Sequence, residues 1–216
     1  MTDISLFDAI HTQRAIRRFS SEPVADGLIG RMIDAAIRAP SGTNRQPWAF
    51  LVIRDAETKR RIAGYYHQAW EAAFGHRGPG DGISPQVYRS ARHLADNMVD
   101  VPVLVMVCMV HGEGERPGAA SITQGSSIYP AVQNLMLAAR ALGLGTALTS
   151  LHRRYEPEIK SLLGIPDHVE TAALIPVGYP GHGDHFGGSV RRPAAEVTFY
   201  ETWEGPRPDH VQGASA

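Results

Sequence analysis

The sequence predicts a single α+β domain. Apolar residues recur at helical spacing in several segments, and the short apolar runs between them are typical of strands. Helices and strands do not alternate in strict β-α-β order, which favours an α+β arrangement over a doubly wound sheet. The 216 residues suffice for one domain, or for one protomer of a dimer.

In the first half of the chain, helical spacing predicts helices over residues 3–13, 27–37, 57–74 and 87–98. Asp26 and Asp55 are the expected N-caps of the second and third of these helices. Strands are predicted at residues 50–53 and 103–110, and the second run is apolar on both faces, which indicates a central strand. Four glycines and two prolines predict that residues 75–85 are irregular.

In the second half, residues 131–142 are apolar almost all round, and Gly143 follows as a C-terminal cap. A helix of this kind must be buried on most sides, which in a chain of this size favours the centre of a homodimer. Pro157 opens a short helix that ends near Leu163. Further strands are predicted over residues 146–150, 172–178 and 197–200.

Composition argues against several classes of function. The net charge of −1 argues against a nucleic-acid partner, which needs a basic face. The longest apolar run, residues 101–110, is far shorter than the roughly 20 residues of a membrane helix, so a cytoplasmic protein without a membrane partner is expected. One cysteine, and ten histidines without metal-ligand spacing, predict no metal site. The domain is expected to span residues 1–203, and residues 204–216 are expected to form a flexible tail.

The run from Ala39 to Trp48, APSGTNRQPW, is the most informative loop of the chain. Eight of its ten residues are small, polar or proline, and it lies between a predicted helix and a predicted strand. Backbone donors and short hydroxyl or amide side chains suit a flat, heteroatom-rich ligand better than they suit a core.

A second signal is the segment from Gln13 to Phe19, QRAIRRF. Three arginines in five residues, next to apolar neighbours, indicate an anion site on an otherwise neutral protein. The alternative is a solvated helix end, with ion pairs from the arginines to Glu22 or Asp26.

Together these two segments resemble the nitroreductase family of FMN flavoproteins. The family has an Arg-Arg-Ser-Ile-Arg-like opening, followed by Pro-Ser-Gly-x-Asn-x-Gln-Pro-Trp, and the second motif is complete here. In the first motif, Gln13 stands where arginine is common and Ala15 where serine is common. The resemblance continues at SSIYPAVQNL (126–135), LGLGT (142–146), GYP (178–180) and RRP (191–193). It implies a mixed central sheet flanked by helices, in an intertwined homodimer.

The resemblance also implies roles for individual residues toward FMN. Arg14 would bind the phosphate, and Arg191 would close on the phosphate from the far end of the chain. Arg17 would lie at the N1–O2 edge of the flavin, where a fixed cation raises the reduction potential, and is therefore the catalytic candidate. Asn44 could instead brace its loop. The other implied cofactor contacts are Gln13, Ala15, Ser41, Gly42, Asn44, Leu148, Thr149 and Ser150.

The implied activity is FMN-dependent transfer of a hydride from NAD(P)H, through flavin N5, to a small electron-poor acceptor. Nitroaromatics, quinones and activated alkenes fit, with both substrates using one flavin face in a ping-pong mechanism, since no G-x-G-x-x-G turn offers a separate NAD site. Alternatives in the same fold are reductive dehalogenation, flavin fragmentation or ring oxidation, and outside it a non-catalytic flavin-binding redox module. These enzymes would differ in a lid over the flavin, which we expect near Trp70, Phe74 and Tyr88.

Overall fold

The computed structural model describes residues 4–76, 82–112 and 122–205. Its strands form one sheet in the order β1-β2-β4-β3, with bounds β1 Trp48–Ile53, β2 Val103–Val110, β3 Gly145–Thr146 and β4 Val169–Gly178. The predicted α+β class is confirmed. The sheet was expected to be mixed, but every strand pair is antiparallel. The one parallel pairing in the described ranges is an isolated bridge between Ala15 and Thr146.

The α-helices lie at α1 Leu6–Thr12, α2 Asp26–Ala36, α3 Ala56–Phe74, α4 Pro85–Asn97, α5 Ile122–Gly125, α6 Tyr129–Ala141 and α7 Glu156–Leu163. Asp55 caps α3 as predicted, because its carboxylate accepts the Thr58 N–H at 2.8 Å. Asp26 is not a cap. It lies in the first turn of α2, where it forms an ion pair with Arg54. None of the helices within the described ranges combines the length and the apolar character needed to span a bilayer.

The sheet lies between two layers of helices. β2 pairs with β1 on one side and β4 on the other, which confirms the predicted central strand. Alternate β2 residues point to opposite faces. Val103, Val105 and Val107 join the core formed with α2 and α6, whereas Leu104, Met106 and Cys108 join the core beneath α3 and α4.

The apolar helix α6 is covered by its own chain. Its fully buried residues include Ala131, Val132, Leu135 and Ala139, and they pack with α2 and the sheet in the first core. The apolar pattern of this helix favoured the centre of a homodimer, but α2 and the sheet bury it within one chain, so the pattern does not itself require a partner. Among the described helices, α1 carries the most exposed apolar side chains, since Leu6 and Phe7 are 65% and 69% exposed.

Two predicted strands differ from the structure. Only Gly145 and Thr146 of the 145–150 stretch form a strand with β4. The same register continues to a single bridge between Thr149 and Leu174, and a 3-10 helix then begins at Leu151. Residues 197–200 form no strand, because the chain turns through a 3-10 helix at Ala194–Glu196 and stays on the surface. The predicted tail lies almost wholly outside the described residues.

His152 gives the fold a pH dependence. Its side chain is fully buried, and neither ring nitrogen has a hydrogen-bond partner among the described residues. Burial, and secondarily the nearby charge of Arg153, lowers the pKa of His152 to about 4. The unfolded chain takes up this proton near pH 6.5. The unfolded state therefore binds more protons as the pH falls, and the contribution of His152 to stability decreases between about pH 6.5 and 4.

We expect this loss to reach roughly 3 kcal/mol at pH 4. Urea unfolding of the wild type and of His152→Leu at several pH values from about 6.5 to 4 gives the free energy of unfolding of each protein as a function of pH. The difference between the two curves measures the contribution of His152. The free energy of unfolding should fall more steeply in the wild type. Parallel curves would contradict the assignment.

Candidate functional site

The segment from Gln13 to Phe19, called the arginine segment below, lies along the free edge of β3. The Ile16 N–H donates to the Thr146 carbonyl at 2.9 Å, next to the bridge from Ala15. Gly145 permits this approach, since a Cβ at that position would lie 2.7 Å from the Cβ of Ile16. The segment therefore runs as an extra, partly paired strand that presents its arginines beyond the sheet.

Asp184 anchors this segment from the far end of the chain. Its carboxylate accepts the backbone N–H groups of Arg17 and Arg18 at 2.7 and 3.0 Å, and pairs with the Arg18 guanidinium at 3.2 Å. Burial alone would raise the pKa of Asp184, but these hydrogen bonds outweigh it and leave the pKa below its ordinary value. No pattern in the sequence predicted Asp184 as a site residue. It lies in the Gly-rich stretch after β4, and nothing local marks a contact across 167 residues.

A strongly cationic cavity of about 200 Å³ opens beside the segment. Basic groups come from the segment, from the first turns of α4 and from the stretch around Asp184. Asp184 is the one carboxylate among the described lining residues, and it is already engaged by Arg18. The ionisable lining residues are Arg14, Arg17, Arg18, Arg89, Asp184 and His185.

Tyr66 interacts electrostatically with Arg17 and is hydrogen bonded to the 148–150 stretch. Burial lowers the pKa of Arg17, while the nearby Tyr66 and Asp184 raise it and Arg14 lowers it. The hydroxyl groups of Tyr66 and Thr149 share a hydrogen bond of 2.9 Å. Burial raises the pKa of Tyr66, so its hydroxyl stays protonated and able to donate at neutral pH. The structure thus brings two predicted cofactor segments together around Tyr66, a residue that sequence analysis did not single out.

The amides of the 148–150 stretch are not equally available. The Thr149 N–H donates to the Leu174 carbonyl at 3.2 Å, and the Leu174 N–H donates back at 2.9 Å. Within the described ranges, the N–H groups of Leu148 and Ser150 form no such bond, and both residues are exposed. A ligand could therefore accept a hydrogen bond from Leu148 or Ser150, but not from the Thr149 amide without breaking the bridge.

The loop between Ala39 and Trp48 is held in a strained shape. Thr43, Asn44 and Gln46 have φ values of 50°, 58° and 51°, which non-glycine residues rarely adopt. Ser41 Oγ accepts the Gln46 N–H at 3.0 Å, and Ser127 Oγ accepts the Gly42 N–H at 3.0 Å. The loop is therefore braced from within and from α5–α6, and residues 42–46 remain exposed.

A second cavity, of about 250 Å³, lies beside this loop and shares no lining residue with the cationic cavity. The two cavities lie at diagonally opposite corners of the sheet. Four strand spacings separate the arginine segment from β1, roughly 19 Å. The two cavities are also far apart along the strands. On β4, Glu170 pairs with Met109, which lines the loop cavity, and Val177 pairs with Thr146, which contacts the arginine segment. Glu170 and Val177 are seven residues, or roughly 23 Å, apart. One chain therefore does not bring Ser41, Gly42 and Asn44 to the arginines.

Two other predicted cofactor residues lie away from the cationic cavity. Arg191 is exposed, and its guanidinium donates to the neighbouring Val190 carbonyl. Gln13 follows α1, and its N–H donates to the Ala9 carbonyl. Neither residue lines the cavity, whereas Arg14, Ala15 and Arg17 do.

The predicted lid residues are core residues in this structure. Trp70 and Tyr88 are buried, with ring centroids 5.7 Å apart, and Phe74 packs on Trp70 at 4.8 Å. Trp70 and Phe74 belong to α3 and Tyr88 to α4, so in this structure the rings that were expected to form the lid pack inward, between the two helices. The middle of the expected lid, residues 77–81, lies outside the described residues. In the described part, no cluster of three His, Cys, Asp or Glu side chains could hold a metal ion.

Comparison with known proteins identifies the family. A model of the nitroreductase family matches residues 10–179, which include the arginine segment, the loop, the sheet and the 148–150 stretch. The chain belongs to the nitroreductase family. The resemblance stated from the sequence is thus confirmed.

The relatives place this family member among the oxidoreductases. It is 33% identical over 184 residues to a Methanothermobacter thermautotrophicus protein with the provisional name NADH dehydrogenase/NAD(P)H nitroreductase, covering 83% of this chain and 80% of that one. It is 31% identical over 183 residues to the NADH dehydrogenase of Thermus thermophilus, covering 78% and 83% of the two chains.

Solved structures share its fold. Oxidised iodotyrosine deiodinase bound to FMN and 3-iodo-L-tyrosine superposes with a TM-score of 0.74, over 92% of this chain and all of the other, at 23% identity.

Proposed function

We propose that the protein is an FMN-dependent oxidoreductase that uses NAD(P)H to reduce a small electron-poor acceptor, such as a nitroaromatic, a quinone or an activated alkene. The observation that carries the proposal is the cationic cavity lined by Arg14 and Arg17. Tyr66, which lies outside that lining, interacts electrostatically with Arg17 and shares a hydrogen bond with Thr149 of the 148–150 stretch. Family membership and the names of the relatives support the same activity.

The residues at this cavity fit one end of FMN. Arg14 and Arg17 form no ion pair with any described residue, so both can meet an anion. A guanidinium binds phosphate through two parallel hydrogen bonds, which suits Arg14. Leu148 and Ser150 lie outside the lining of the cavity, but both residues are exposed and their N–H groups have no backbone acceptor among the described residues, so these groups suit the acceptor atoms of a flavin ring. FMN is also the cofactor named in the iodotyrosine deiodinase structure of the same fold.

The chemistry that FMN supplies when bound is two-electron transfer from NAD(P)H to the acceptor. Arg17 contributes a half-buried positive charge that favours the more negative state of a neighbouring ligand. Tyr66 orients the Thr149 hydroxyl through their hydrogen bond, and Asp184 fixes the Arg17 backbone by accepting its N–H. The chain therefore provides fixed geometry and charge rather than an acid, a base or a nucleophile.

We propose that two protomers build each site. The cationic cavity measures about 200 Å³, below the roughly 300–1,000 Å³ of typical ligand pockets. In a two-fold symmetric dimer, the 39–48 loop of one protomer can meet the arginine segment of the other. The symmetry repeats this contact, so the dimer has two equivalent sites. The exposed apolar residues of α1 and of the C-terminal stretch, including Trp203 at 82% exposure, offer surface for such an interface.

Steady-state kinetics test the proposed reaction. If NAD(P)H and the acceptor use the same face of the flavin in turn, double-reciprocal plots at several acceptor concentrations should give parallel lines. Excess NAD(P)H should compete with the acceptor. Intersecting lines would show that both substrates bind together. The absence of NAD(P)H oxidation with every class of acceptor would leave a non-catalytic flavin-binding module.

Reductive dehalogenation is the second candidate, because the deiodinase structure aligns with 92% of this chain. Iodide release from 3-iodo-L-tyrosine, measured beside reduction of a nitroaromatic at equal concentration, separates the two. We expect the nitroaromatic to be reduced faster. Faster iodide release would favour the dehalogenase.

Asp184 should control cofactor affinity through the arginine segment. Asp184→Ala removes the acceptor of three hydrogen bonds, and losing a charge-assisted contact costs roughly 1.5–3 kcal/mol. We expect the Kd for FMN to rise at least about tenfold. Asp184→Asn keeps an acceptor without its charge and should have an intermediate effect. The control is Asp34→Ala, which removes an exposed ion pair with Arg38. Equal FMN affinities in all four proteins would refute the role of Asp184.

A further inference from the structure

One cation of the cavity has no role in the proposed use of FMN. Arg89 lies in α4, across the cavity from the arginine segment, and it belongs to no family motif. Among the described residues it forms neither an ion pair nor a side-chain hydrogen bond. Arg92, one turn further along the same helix, pairs with both Glu71 and Asp96. The chain thus neutralises one arginine of α4 and leaves its neighbour facing the cavity unpaired.

The surroundings of Arg89 add further donors. Gln86 lies one turn earlier on the same face, and Ser90 follows directly, so an amide and a hydroxyl line the cavity beside the guanidinium. All three residues lie in the first turns of a 13-residue helix, whose N-terminal end carries partial positive charge. The nearest carboxylate lining the described part of the cavity, Asp184, is occupied by Arg18 and by two amides.

Arg89, Gln86 and Ser90 form the outer wall of the cavity, and the exposure of Arg89 and Gln86 indicates which ligand this wall contacts. Arg17 is half-buried, whereas Arg89 and Gln86 are exposed, so they lie toward the solvent side of the cavity. A resident cofactor is held by the deeper groups, Arg14 and Arg17. The outer wall contacts whichever molecule enters and leaves during turnover.

From this arrangement we propose that Arg89, with Gln86 and Ser90, forms a subsite for an anionic group, a carboxylate or a phosphate, on one of the exchanging substrates. The inference rests on the proposed function, since it assumes that Arg14 and Arg17 serve FMN. The anion can belong to the acceptor, as an aromatic carboxylate, or to the donor, as the 2′-phosphate that distinguishes NADPH from NADH.

Matched substrate pairs test the subsite. 4-Nitrobenzoate and 4-nitrobenzamide differ in one charge at almost equal size, and so isolate an acceptor carboxylate. NADPH and NADH isolate the donor phosphate. In Arg89→Gln, one of the two kcat/KM ratios, charged over neutral substrate, should fall about tenfold, chiefly through KM. Arg89→Lys, which keeps the charge, should restore most of that ratio. Arg92→Gln is the matched control on the same helix and should leave both ratios as in the wild type.

A binding measurement keeps the subsite and the proposed function separable. If the ratio for the carboxylate acceptor is the one that falls, titration calorimetry of the FMN-loaded protein with benzoate should show binding that Arg89→Gln weakens about tenfold, with benzamide as the uncharged comparison. If the wild type reduces no acceptor but binds benzoate through Arg89, the proposed function fails and the subsite stands. If Arg89→Gln changes neither ratio, or weakens FMN binding tenfold instead, the subsite is refuted.

Discussion

Arg17→Ala is expected to slow the reduction of bound FMN by NAD(P)H by about 10- to 150-fold. Arg17 is a half-buried cation without an ion-pair partner in the described part of the chain, and its charge interacts with Tyr66, which is hydrogen bonded to Thr149. Its loss removes a charge-assisted contact worth roughly 1.5–3 kcal/mol, realised most strongly when the ligand becomes more negative. Stopped-flow absorbance of the FMN-loaded variant under anaerobic conditions measures the rate.

The comparison variant is Arg14→Ala, which should chiefly raise the Kd for FMN and change the reduction rate of the loaded protein much less. Arg38→Ala is the neutral control, because Arg38 is exposed and pairs only with Asp34 among the described residues. If Arg14→Ala and Arg17→Ala retain FMN and reduction rates like those of the wild type, the assignment of both arginines is wrong.

The second large effect tests whether the 39–48 loop of one protomer and the arginine segment of the other build one site. In Gly42→Glu, a carboxylate stands on the exposed loop, where the backbone has room, since a Cβ at Gly42 would lie 3.5 Å from Ser127 Oγ. We expect Arg17→Ala and Gly42→Glu to be almost inactive as separate homodimers. A heterodimer of the two should regain one intact site, because both changes fall in the same site and leave the other unchanged.

Co-expression with two different affinity tags yields that heterodimer for assay. About half of the wild-type activity per dimer is expected, a large gain over either parent. If each site were built from a single chain, both sites of the heterodimer would carry a change, and it would stay as inactive as the parents. A folded, FMN-loaded monomer in light scattering would equally contradict the two-protomer site.

Local chemistry explains what the sequence predicted well. β2 is apolar on both faces, and a strand of that kind can only be central. Asp55 caps α3 because cap and helix are neighbours in the chain. The arginine segment and the 148–150 stretch were matched through family motifs, and their meeting around Tyr66 agrees with that match.

Long-range packing explains what the sequence did not predict. Asp184 reaches Arg17 only because the chain after β4 folds back along the arginine segment. The apolar pattern of α6 is the same whether a partner or α2 covers it, and in this structure α2 and the sheet do so. Trp70 and Tyr88 likewise have the pattern of a lid or of a core, and only the packing of α3 on α4 distinguishes the two. The unpaired state of Arg89 is a property of its neighbours, and no motif marks it.

The central claim is that this chain binds FMN and uses it to oxidise NAD(P)H. Anaerobic titration of the purified protein with NADH or NADPH, followed by its absorbance spectrum, tests that claim most directly. We expect a yellow protein with about one FMN per chain, bleached by about one equivalent of NAD(P)H and restored by an electron-poor acceptor. A protein that stays colourless after reconstitution with FMN, or whose bound FMN neither nucleotide reduces, would contradict it.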